Sequence, residues 1–261
     1  MTTEPVAYPV AAHELARIVA GRHHSPHDVL GPHVHGEGKD RHVTVRVLRP
    51  LASSIMVTRT SGQVAMTHEH DGVWLAVLPE ADISDYRLEV EYPGHAHQSV
   101  DDPYRFLPTL GEIDQHLINE GRHEELWNVL GAHVRRYDTP GGTVVGTSFA
   151  VWAPNALGVR VAGDFNYWDA RAHPMRKLGS SGVWELFIPA VGSGALYKFD
   201  VCGADGIWRQ KADPLARHTQ VPPERASVVF ESTYEWADDG WLGRRAAEQA
   251  VAAPMSVYEV H

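Results

Sequence analysis

Three side chains in the second half of the chain have the chemistry of a sugar contact. Trp168 and Trp208 carry indole rings whose faces can stack on a sugar ring, and Lys198 carries an ammonium that can donate hydrogen bonds to hydroxyl groups. Residue type alone favours a core position for a tryptophan in a β-rich domain. Trp168, however, follows Asp164 and Asn166 in a turn-like stretch, so we predict that it is exposed and that Asn166 belongs to the same binding surface.

The composition of the chain limits the partners that such a surface can have. Its 261 residues include 23 Lys and Arg against 33 Asp and Glu, which gives a net charge of −10. An acidic protein of this kind is not expected to bind nucleic acid or an anionic membrane, whereas a neutral glycan is indifferent to the charge. Cys202 is the single cysteine, so no intramolecular disulfide can form, and we predict a buried, unreactive thiol.

The N-terminal residues and the apolar stretches bear on location. Residues 1–9 lack the cationic start and the apolar core of a signal peptide. No apolar stretch of the sequence is long enough to span a membrane. We therefore expect a cytoplasmic protein.

A histidine-rich segment is a candidate metal site. Residues 23–28 read His-His-Ser-Pro-His-Asp. Zinc needs three or four ligands at fixed separations on rigid elements, and a turn that contains proline offers no such frame. We therefore predict neither a metal site nor a cofactor.

Alternating apolar and polar residues indicate that the chain is built mainly from β-strands. Four such stretches, separated by Gly, Pro, Ser and Asp, lie at residues 43–49, 55–59, 72–78 and 86–92. Short strands at this spacing are typical of an antiparallel sandwich. Before them, residues 11–21 have the apolar spacing of a short helix that ends at a glycine.

The second half of the chain repeats the first. The matched stretches are 29–33 with 129–133, 47–50 with 151–154, 71–79 with 181–189, 86–90 with 197–201, and 101–103 with 212–214. Insertions accumulate only between the matched strands, because loops tolerate them whereas strands lose their register. The repeat predicts a duplicated β-sandwich. Trp74 and Trp184 occupy the same place in both copies and are predicted to be core residues.

A helical connector is predicted between the copies. Thr109 and Glu112 have the spacing of a capping box. A discontinuous apolar face follows from Ile113 to Leu130, interrupted near Gly121. Such a segment would hold the two sandwiches together.

The two copies differ where a ligand would bind. Alignment of the repeats places Arg87 opposite Lys198 and His97 opposite Trp208. The stretch that carries Trp168 is shortened in the first copy. Both candidate tryptophans therefore belong to the second copy alone.

Residues 146–230 resemble the family 48 carbohydrate-binding module, an immunoglobulin-like sandwich found in enzymes of the α-amylase superfamily and in the β subunit of AMP-activated kinase. The shared pattern is Gly-x-Phe-Asn-x-Trp at 163–168, Tyr-Lys-Phe at 197–199, Gly-x-Trp at 206–208 and Asp-Pro at 213–214. In glycogen-binding members the two tryptophans stack on glucose rings and the lysine bonds hydroxyls, which implies these roles for Trp168, Trp208 and Lys198. Residues 223–227 lack the asparagine that those members carry in a Leu-Gly-Thr-x-Asn stretch.

Nearly the whole chain resembles the N-terminal half of bacterial glycogen branching enzymes. The resemblance rests on Val-Leu-Gly-x-His in the first copy and on residues 102–112 and 126–133. It implies a partner of the α-1,4-glucan class, such as glycogen or a malto-oligosaccharide. Members of the family cleave an α-1,4 linkage and rejoin the chain to a 6-hydroxyl without a metal or organic cofactor. Residues 255–261 resemble the first strand of the family's (β/α)₈ catalytic barrel, a domain that this fragment would dock.

The expected architecture is all-β, with two tandem immunoglobulin-like β-sandwiches, a helical connector between them and a short N-terminal helix. Residues 1–107 are expected to form the helix and the first sandwich, and residues 108–132 the connector. Residues 133–236 are expected to form the second sandwich, which is the carbohydrate-binding module. A linker and the first barrel strand would occupy residues 237–261.

No catalytic residue is predicted in the chain. Retaining glucan transfer needs two carboxylates held about 5 Å apart, and Asp164 and Asp169 lie in a loop without a rigid frame. The resemblance places the catalytic pair beyond His261. A self-standing glycogen-binding or regulatory module is the alternative interpretation, and it gives no role to the barrel-like residues 255–261.

Overall fold

The structure, a computed structural model, describes residues 7–37, 41–78, 85–249 and 251–260. The chain divides into two compact units, residues 1–230 and residues 231–261. Pro79, which ends a repeated stretch, and His261, which ends the predicted barrel strand, lie outside the described residues. Within those ranges, no helix has both the length and the apolar character needed to cross a bilayer.

Alternating apolar residues bury one face of each sheet of the first sandwich against the other sheet. Its strands are β1 Gly31–His35, β2 His42–Leu48, β3 Ser54–Arg59, β4 Gly62–Ala65, β5 Thr67–His70, β6 Val73–Leu78, β7 Arg87–Glu91 and β8 Gln98–Val100. One sheet has the order β1-β2-β6-β5 and the other the order β4-β3-β7-β8. Val45, Ile55 and Leu88 are among the buried residues of the core between them.

The second sandwich repeats this arrangement. Its strands are β9 Gly131–Thr139, β10 Gly142–Trp152, β11 Gly158–Gly163, β12 Arg176–Lys177, β13 Val183–Pro189, β14 Leu196–Cys202, β15 Trp208–Lys211, β16 His218–Thr219 and β17 Ser227–Val228. One sheet runs β12-β13-β10-β9 and the other β11-β14-β17-β16, with β15 also paired to β14. The order β9-β10-β13-β12 is that of β1-β2-β6-β5, which confirms the prediction of two tandem β-sandwiches.

Equivalent side chains make the same contacts in both sandwiches. The Trp74 indole donates a hydrogen bond to the Arg49 carbonyl over 3.3 Å, and the Trp184 indole donates to the Ala153 carbonyl over 3.0 Å. Trp184 is fully buried, as predicted, whereas Trp74 is only partly buried and packs at the edge of the first core. The repeat therefore extends from the sequence to individual hydrogen bonds.

The predicted N-terminal helix is α1, Ala12–Ala20, and it packs on the second sandwich although it precedes the first. Its buried residues, Leu15 and Ile18, belong to the hydrophobic cluster that contains Val159 and Trp184. The helix ends at Gly21, whose φ of 68° is the left-handed conformation that glycine adopts most readily at a helix C-terminus. The helix therefore joins a surface that lies far away in the sequence.

Further contacts unite the two sandwiches within the first compact unit. The Tyr104 hydroxyl donates a hydrogen bond to the Pro174 carbonyl over 3.0 Å, and the Arg176 guanidinium donates to the Phe106 carbonyl over 3.2 Å. Tyr104 also belongs to a hydrophobic cluster that contains residues of both sandwiches, among them Leu48 and Trp184. The expected bounds of the individual domains stay a proposal.

The connector contains helix α2, Glu112–Asn119. The capping box predicted at Thr109 is wrong, because the Thr109 hydroxyl donates instead to the buried carboxylate of Glu185 over 3.2 Å. The side chain of Asp114 caps the helix by accepting a hydrogen bond from the Gly111 amide over 3.3 Å. Of the predicted apolar face, Leu130 is buried and Ile113 is exposed.

The second compact unit contains helix α3, Asp239–Glu248. Residues 251–260 form neither helix nor strand. A strand needs a neighbouring strand to pair its backbone groups, so the barrel strand expected at residues 255–261 stays a prediction.

Candidate functional site

The candidate binding residues lie on the face of one sheet that points away from the core of the second sandwich. Strand register sets three rows on this face: Ala162 and Lys198, then Arg160, Asp200 and Gln210, then Gly158, Cys202 and Trp208. Residues directly opposite each other in an antiparallel pair project from the same face of the sheet. Since each residue advances a strand by about 3.3 Å, the first and third rows lie roughly 13 Å apart.

A strained loop presents Trp168 beside the first row. After one turn of 3₁₀ helix, Tyr167 and Trp168 both have left-handed backbone conformations, with φ of 54° and 62°. This conformation costs a non-glycine residue about 1 kcal/mol. Two hydrogen bonds hold it in place: the Trp168 amide donates to the Gly163 carbonyl over 2.8 Å, and the Leu196 amide donates to the Asp164 carboxylate over 3.2 Å. The loop leaves Trp168 37% exposed.

Asn166 ties this loop together. Its amide oxygen accepts a hydrogen bond from the Gly163 amide, and its amide nitrogen donates to the Val161 carbonyl and to Nδ1 of His173, each over 2.9 Å. Burial lowers the pKa of His173 to about 3, so the ring is neutral and Nδ1 can accept. The geometry gives Asn166 a role in shaping the loop, and its predicted direct contact with a glucan stays a prediction.

Lys198 lies over the ring of Trp168. Its Nζ is 5.6 Å from the ring centroid, which is within the range of a cation–π contact. Among the described residues, the Lys198 ammonium has no hydrogen-bond or ion-pair partner. The equivalent residue of the first sandwich, Arg87, donates to Ser99 and to Asp101 over 3.1 and 2.8 Å. The lysine donors therefore remain available to a ligand.

Trp208 lies in the third row, in a different environment. The guanidinium carbon of Arg160 is 4.0 Å from the centroid of its ring, so one face of the indole is covered. Trp208 is half-buried, and its neighbour across the strand pair, Cys202, is fully buried, as predicted for the thiol. The structure thus brings Trp168 and Lys198 together and places Trp208 at the far end of the same face.

The middle row adds three polar residues that the sequence did not single out. Asp200 and Gln210 lie between Lys198 and Trp208, with Arg160 on the neighbouring strand. Burial raises the pKa of Asp200, and the nearby Arg160 opposes the rise. Period-two counting from Lys198 would have placed Asp200 on this face. Gln210 could be placed only once its pairing partner was known.

The histidine-rich segment has structural contacts. Nε2 of His23 lies 2.7 Å from the Glu14 carboxylate, and His27 packs against Tyr104 with their ring centroids 5.0 Å apart. In the part of the chain that the structure describes, no group of three or more His, Cys, Asp or Glu residues is arranged to hold a metal ion. A cavity of about 370 Å³ lies beside this segment, and Arg22 is among its lining residues.

Comparisons with known proteins divide the chain at the same place as the repeat. Residues 11–104 match the family described as alpha-1,4-glucan branching enzyme GlgB, N-terminal domain. Residues 129–216 match Carbohydrate-binding module 48 (Isoamylase N-terminal domain). The second match contains all four candidate residues, Asn166, Trp168, Lys198 and Trp208.

Two curated proteins are similar over nearly the full chain. One is the 1,4-alpha-glucan branching enzyme GlgB of Rhodococcus jostii (strain RHA1), 54% identical over 262 residues that cover 100% of this chain and 35% of that protein. The other is the 1,4-alpha-glucan branching enzyme GlgB of Thermobifida fusca (strain YX), 58% identical over 249 residues that cover 95% of this chain and 33% of that protein. The chain thus spans about a third of the length of the curated relatives it matches.

Among solved structures, the pullulanase type I from Bacillus subtilis str. 168 complexed with maltose overlaps 79% of this chain and 28% of its own. The TM-score is 0.34 at 16% identity, a likeness that carries no argument about function.

Proposed function

We propose a glucan-binding role for this chain, in which residues 11–104 match the GlgB N-terminal domain family and residues 129–216 match carbohydrate-binding module family 48. The proposed ligand is an α-1,4-glucan, bound on the face that carries Trp168 and Lys198. The observation that carries the proposal is the Lys198 ammonium, which lies 5.6 Å from the centroid of the exposed Trp168 ring and has no hydrogen-bond or ion-pair partner in the part of the chain that the structure describes.

The chemistry of this face suits a chain of neutral sugars. The Trp168 ring offers an apolar surface to one face of a glucose unit, while the Lys198 ammonium donates to hydroxyl groups at its edge. Along the middle row, the Asp200 carboxylate and the Gln210 amide add acceptors and donors for further hydroxyls. A cation that is close to an aromatic ring but lacks an acceptor of its own gains most from a ligand that supplies oxygen atoms.

In the same proposal, the chain is the N-terminal part of a branching enzyme that positions glucan for a separate catalytic barrel. The greater length of its curated relatives supports a further domain. Because these relatives are about three times as long as the chain, they favour this role over that of a self-standing glucan-binding module. Cleavage of an α-1,4 linkage and transfer to a 6-hydroxyl belong to the whole enzyme in this proposal. We also propose a cytoplasmic location. A chain with a single cysteine cannot form an intramolecular disulfide, so it does not require an oxidising compartment.

Contacts in the Trp168 loop support the absence of catalysis there. The Asp164 carboxylate accepts a hydrogen bond from the Leu196 amide. Hydrogen bonds from Arg171 lower the pKa of Asp169, and Nη2 of Arg171 lies 2.7 Å from Oδ2 of Asp169 in an ion pair. The lowered pKa of Asp169 is the opposite of the raised pKa that the acid of retaining glucan transfer requires.

Affinity electrophoresis in native gels that contain amylopectin tests the proposal. We expect Trp168→Ala to weaken glucan binding about tenfold, because the stacking surface is lost. Trp236→Ala is the matched control, since this tryptophan is 77% exposed and lies in the second compact unit. Equal retardation of the wild type and both variants would refute the proposed site.

A further inference from the structure

Three groups from distant parts of the sequence meet at the third row of the sheet face. The Arg160 guanidinium lies 4.0 Å from the centroid of the Trp208 ring. The backbone of Gly21 also lies against this guanidinium, so close that an added Cβ atom at this glycine would overlap Nε of Arg160. The guanidinium therefore contacts both the end of helix α1 and the indole.

The end of helix α1 favours glycine. Its left-handed φ of 68° disfavours other residues, and a Cβ atom at this position would force the Arg160 guanidinium to move. The backbone of Gly21 also approaches Gly158, because a Cβ atom added to Gly158 would overlap the Gly21 carbonyl oxygen. Two glycines thus bring the helix end directly onto β11, where a Cβ atom added to Gly158 would also lie 3.2 Å from the Trp208 ring.

The remaining contacts of Arg160 fix its plane. Nη2 donates a hydrogen bond to the Val19 carbonyl at the end of α1 over 3.4 Å. Asp200 lies across the strand pair from Arg160 and attracts its charge. Nε of Arg160 is buried and has no hydrogen-bond partner among the described residues. An arginine held in this way is placed by its flat surfaces as much as by its hydrogen bonds.

Helix α1 also reaches the turn before Trp208. Arg22, the residue after Gly21, donates a hydrogen bond to the Gly206 carbonyl over 3.3 Å. Gly206 lies in the turn between β14 and β15. The N-terminal segment therefore contacts the turn before Trp208 directly and reaches the Trp208 ring through Arg160.

From this geometry we infer that Arg160 is a positioning residue for glucan binding: seated against the end of α1, it holds the plane of the Trp208 ring so that the outer face of the indole can stack on a sugar. The inference rests on the proposed glucan-binding function. It makes the N-terminal segment part of the binding surface at the third row, while Trp168 and Lys198 at the first row do not depend on it.

A double-mutant cycle on maltoheptaose binding, measured by isothermal titration calorimetry, tests the inference. The proteins are the wild type, Arg160→Lys, Trp208→Ala and the double variant. Lysine keeps the charge but lacks the planar surface. We expect Arg160→Lys to weaken binding about fivefold in the wild-type background and less than about twofold when Trp208 is already alanine.

The second readout is structural. We expect the indole N–H resonance of Trp208, assigned with Trp208→Phe, to shift in Arg160→Lys while that of Trp168 stays in place. Arg122→Lys is the matched control, because this arginine lies in the connector with 75% of its side chain exposed. Thermal melting checks that Arg160→Lys is folded. Arg160→Gln serves as a second variant if it is not.

Three outcomes would overturn the inference. They are equal weakening by Arg160→Lys in both backgrounds, no weakening at all, and an unshifted Trp208 resonance in folded Arg160→Lys. If Trp168→Ala weakens binding while Arg160→Lys does not, the proposed function stands and this inference fails. If the wild type does not bind maltoheptaose, both fail.

Discussion

The Tyr197 hydroxyl donates a 2.6 Å hydrogen bond to the buried carboxylate of Asp213. The equivalent pair of the first sandwich, Tyr86 and Asp102, makes the same bond at the same length. In each copy the second carboxylate oxygen accepts from a backbone amide two residues further on, over 3.0 Å at Tyr104 and 2.8 Å at Leu215. Each sandwich thus contains an equivalent buried Tyr–Asp hydrogen bond.

Removal of either hydroxyl should destabilise the protein. We expect Tyr197→Phe and Tyr86→Phe each to lower the free energy of unfolding by about 2 kcal/mol, because a buried carboxylate oxygen loses its donor. Denaturant unfolding followed by circular dichroism measures the change. Tyr234→Phe, at a tyrosine that is 68% exposed, is expected to have almost no effect. Equal stability of all three variants would show that the buried pairs contribute little.

The turn before β13 should tolerate only glycine. At Gly182, φ is 75° and an added Cβ would lie 2.8 Å from Pro154 Cβ, so we expect Gly182→Ala to cost about 2 kcal/mol of stability. The first-copy equivalent, Gly72, has φ of 86° and an added Cβ there would overlap Pro50, so Gly72→Ala should behave alike. Gly192→Ala is the control, because no atom lies within 4 Å of its added Cβ. Thermal melting of the three variants compares them, and a Gly182→Ala protein as stable as Gly192→Ala would contradict the expectation.

The duplication supplies a matched control for the lysine. We expect Lys198→Met to weaken malto-oligosaccharide binding about tenfold, since a charged donor to sugar hydroxyls is lost. Arg87→Met changes the equivalent residue of the first sandwich, whose donors already bond Ser99 and Asp101. It should leave binding unchanged. Titration calorimetry compares the two, and an equal loss in both variants would mean that the effect does not arise at the Trp168 surface.

A buried histidine should make the fold sensitive to acid. Burial lowers the pKa of His27 to about 2, and the neighbouring positive charges of Arg176 and His33 act in the same direction. Because the unfolded chain binds the proton at an ordinary histidine pKa and the folded chain does not, the stability is fully present above that pKa and is lost as the pH falls below it. Between about pH 7 and about pH 5, this one histidine should lower the free energy of unfolding by about 2 kcal/mol.

His27→Leu removes this dependence. Its unfolding free energy should fall by about 2 kcal/mol less than that of the wild type over the same interval, as measured by denaturant unfolding at each pH. His116→Leu is the control, because His116 lies on α2 with 67% of its side chain exposed. Identical pH profiles for the wild type and His27→Leu would show that the folded state accommodates a protonated His27.

The repeat made the fold predictable from the sequence. Matched stretches fixed the strands because insertions are confined to loops, and the contrast between Lys198 and Arg87 identified the first row of the candidate site. The cap of α2 was not predictable, because the Thr109 hydroxyl bonds Glu185, 76 residues away. The environment of Trp208 was not predictable for the same reason. Arg160 covers its ring and bonds the carbonyl of Val19, 141 residues earlier.

The position of α1 has a consequence for how such chains evolve and how they can be engineered. Tandem duplication normally yields cassettes that can be recombined one at a time. Here a segment encoded ahead of the first copy joins, through Leu15 and Ile18, a hydrophobic cluster that residues of both copies share. The region at residues 129–216 therefore cannot be excised as an interchangeable sugar-binding tag without exposing the apolar surface that α1 covers. To keep this apolar surface covered, the two copies must be transplanted together with α1.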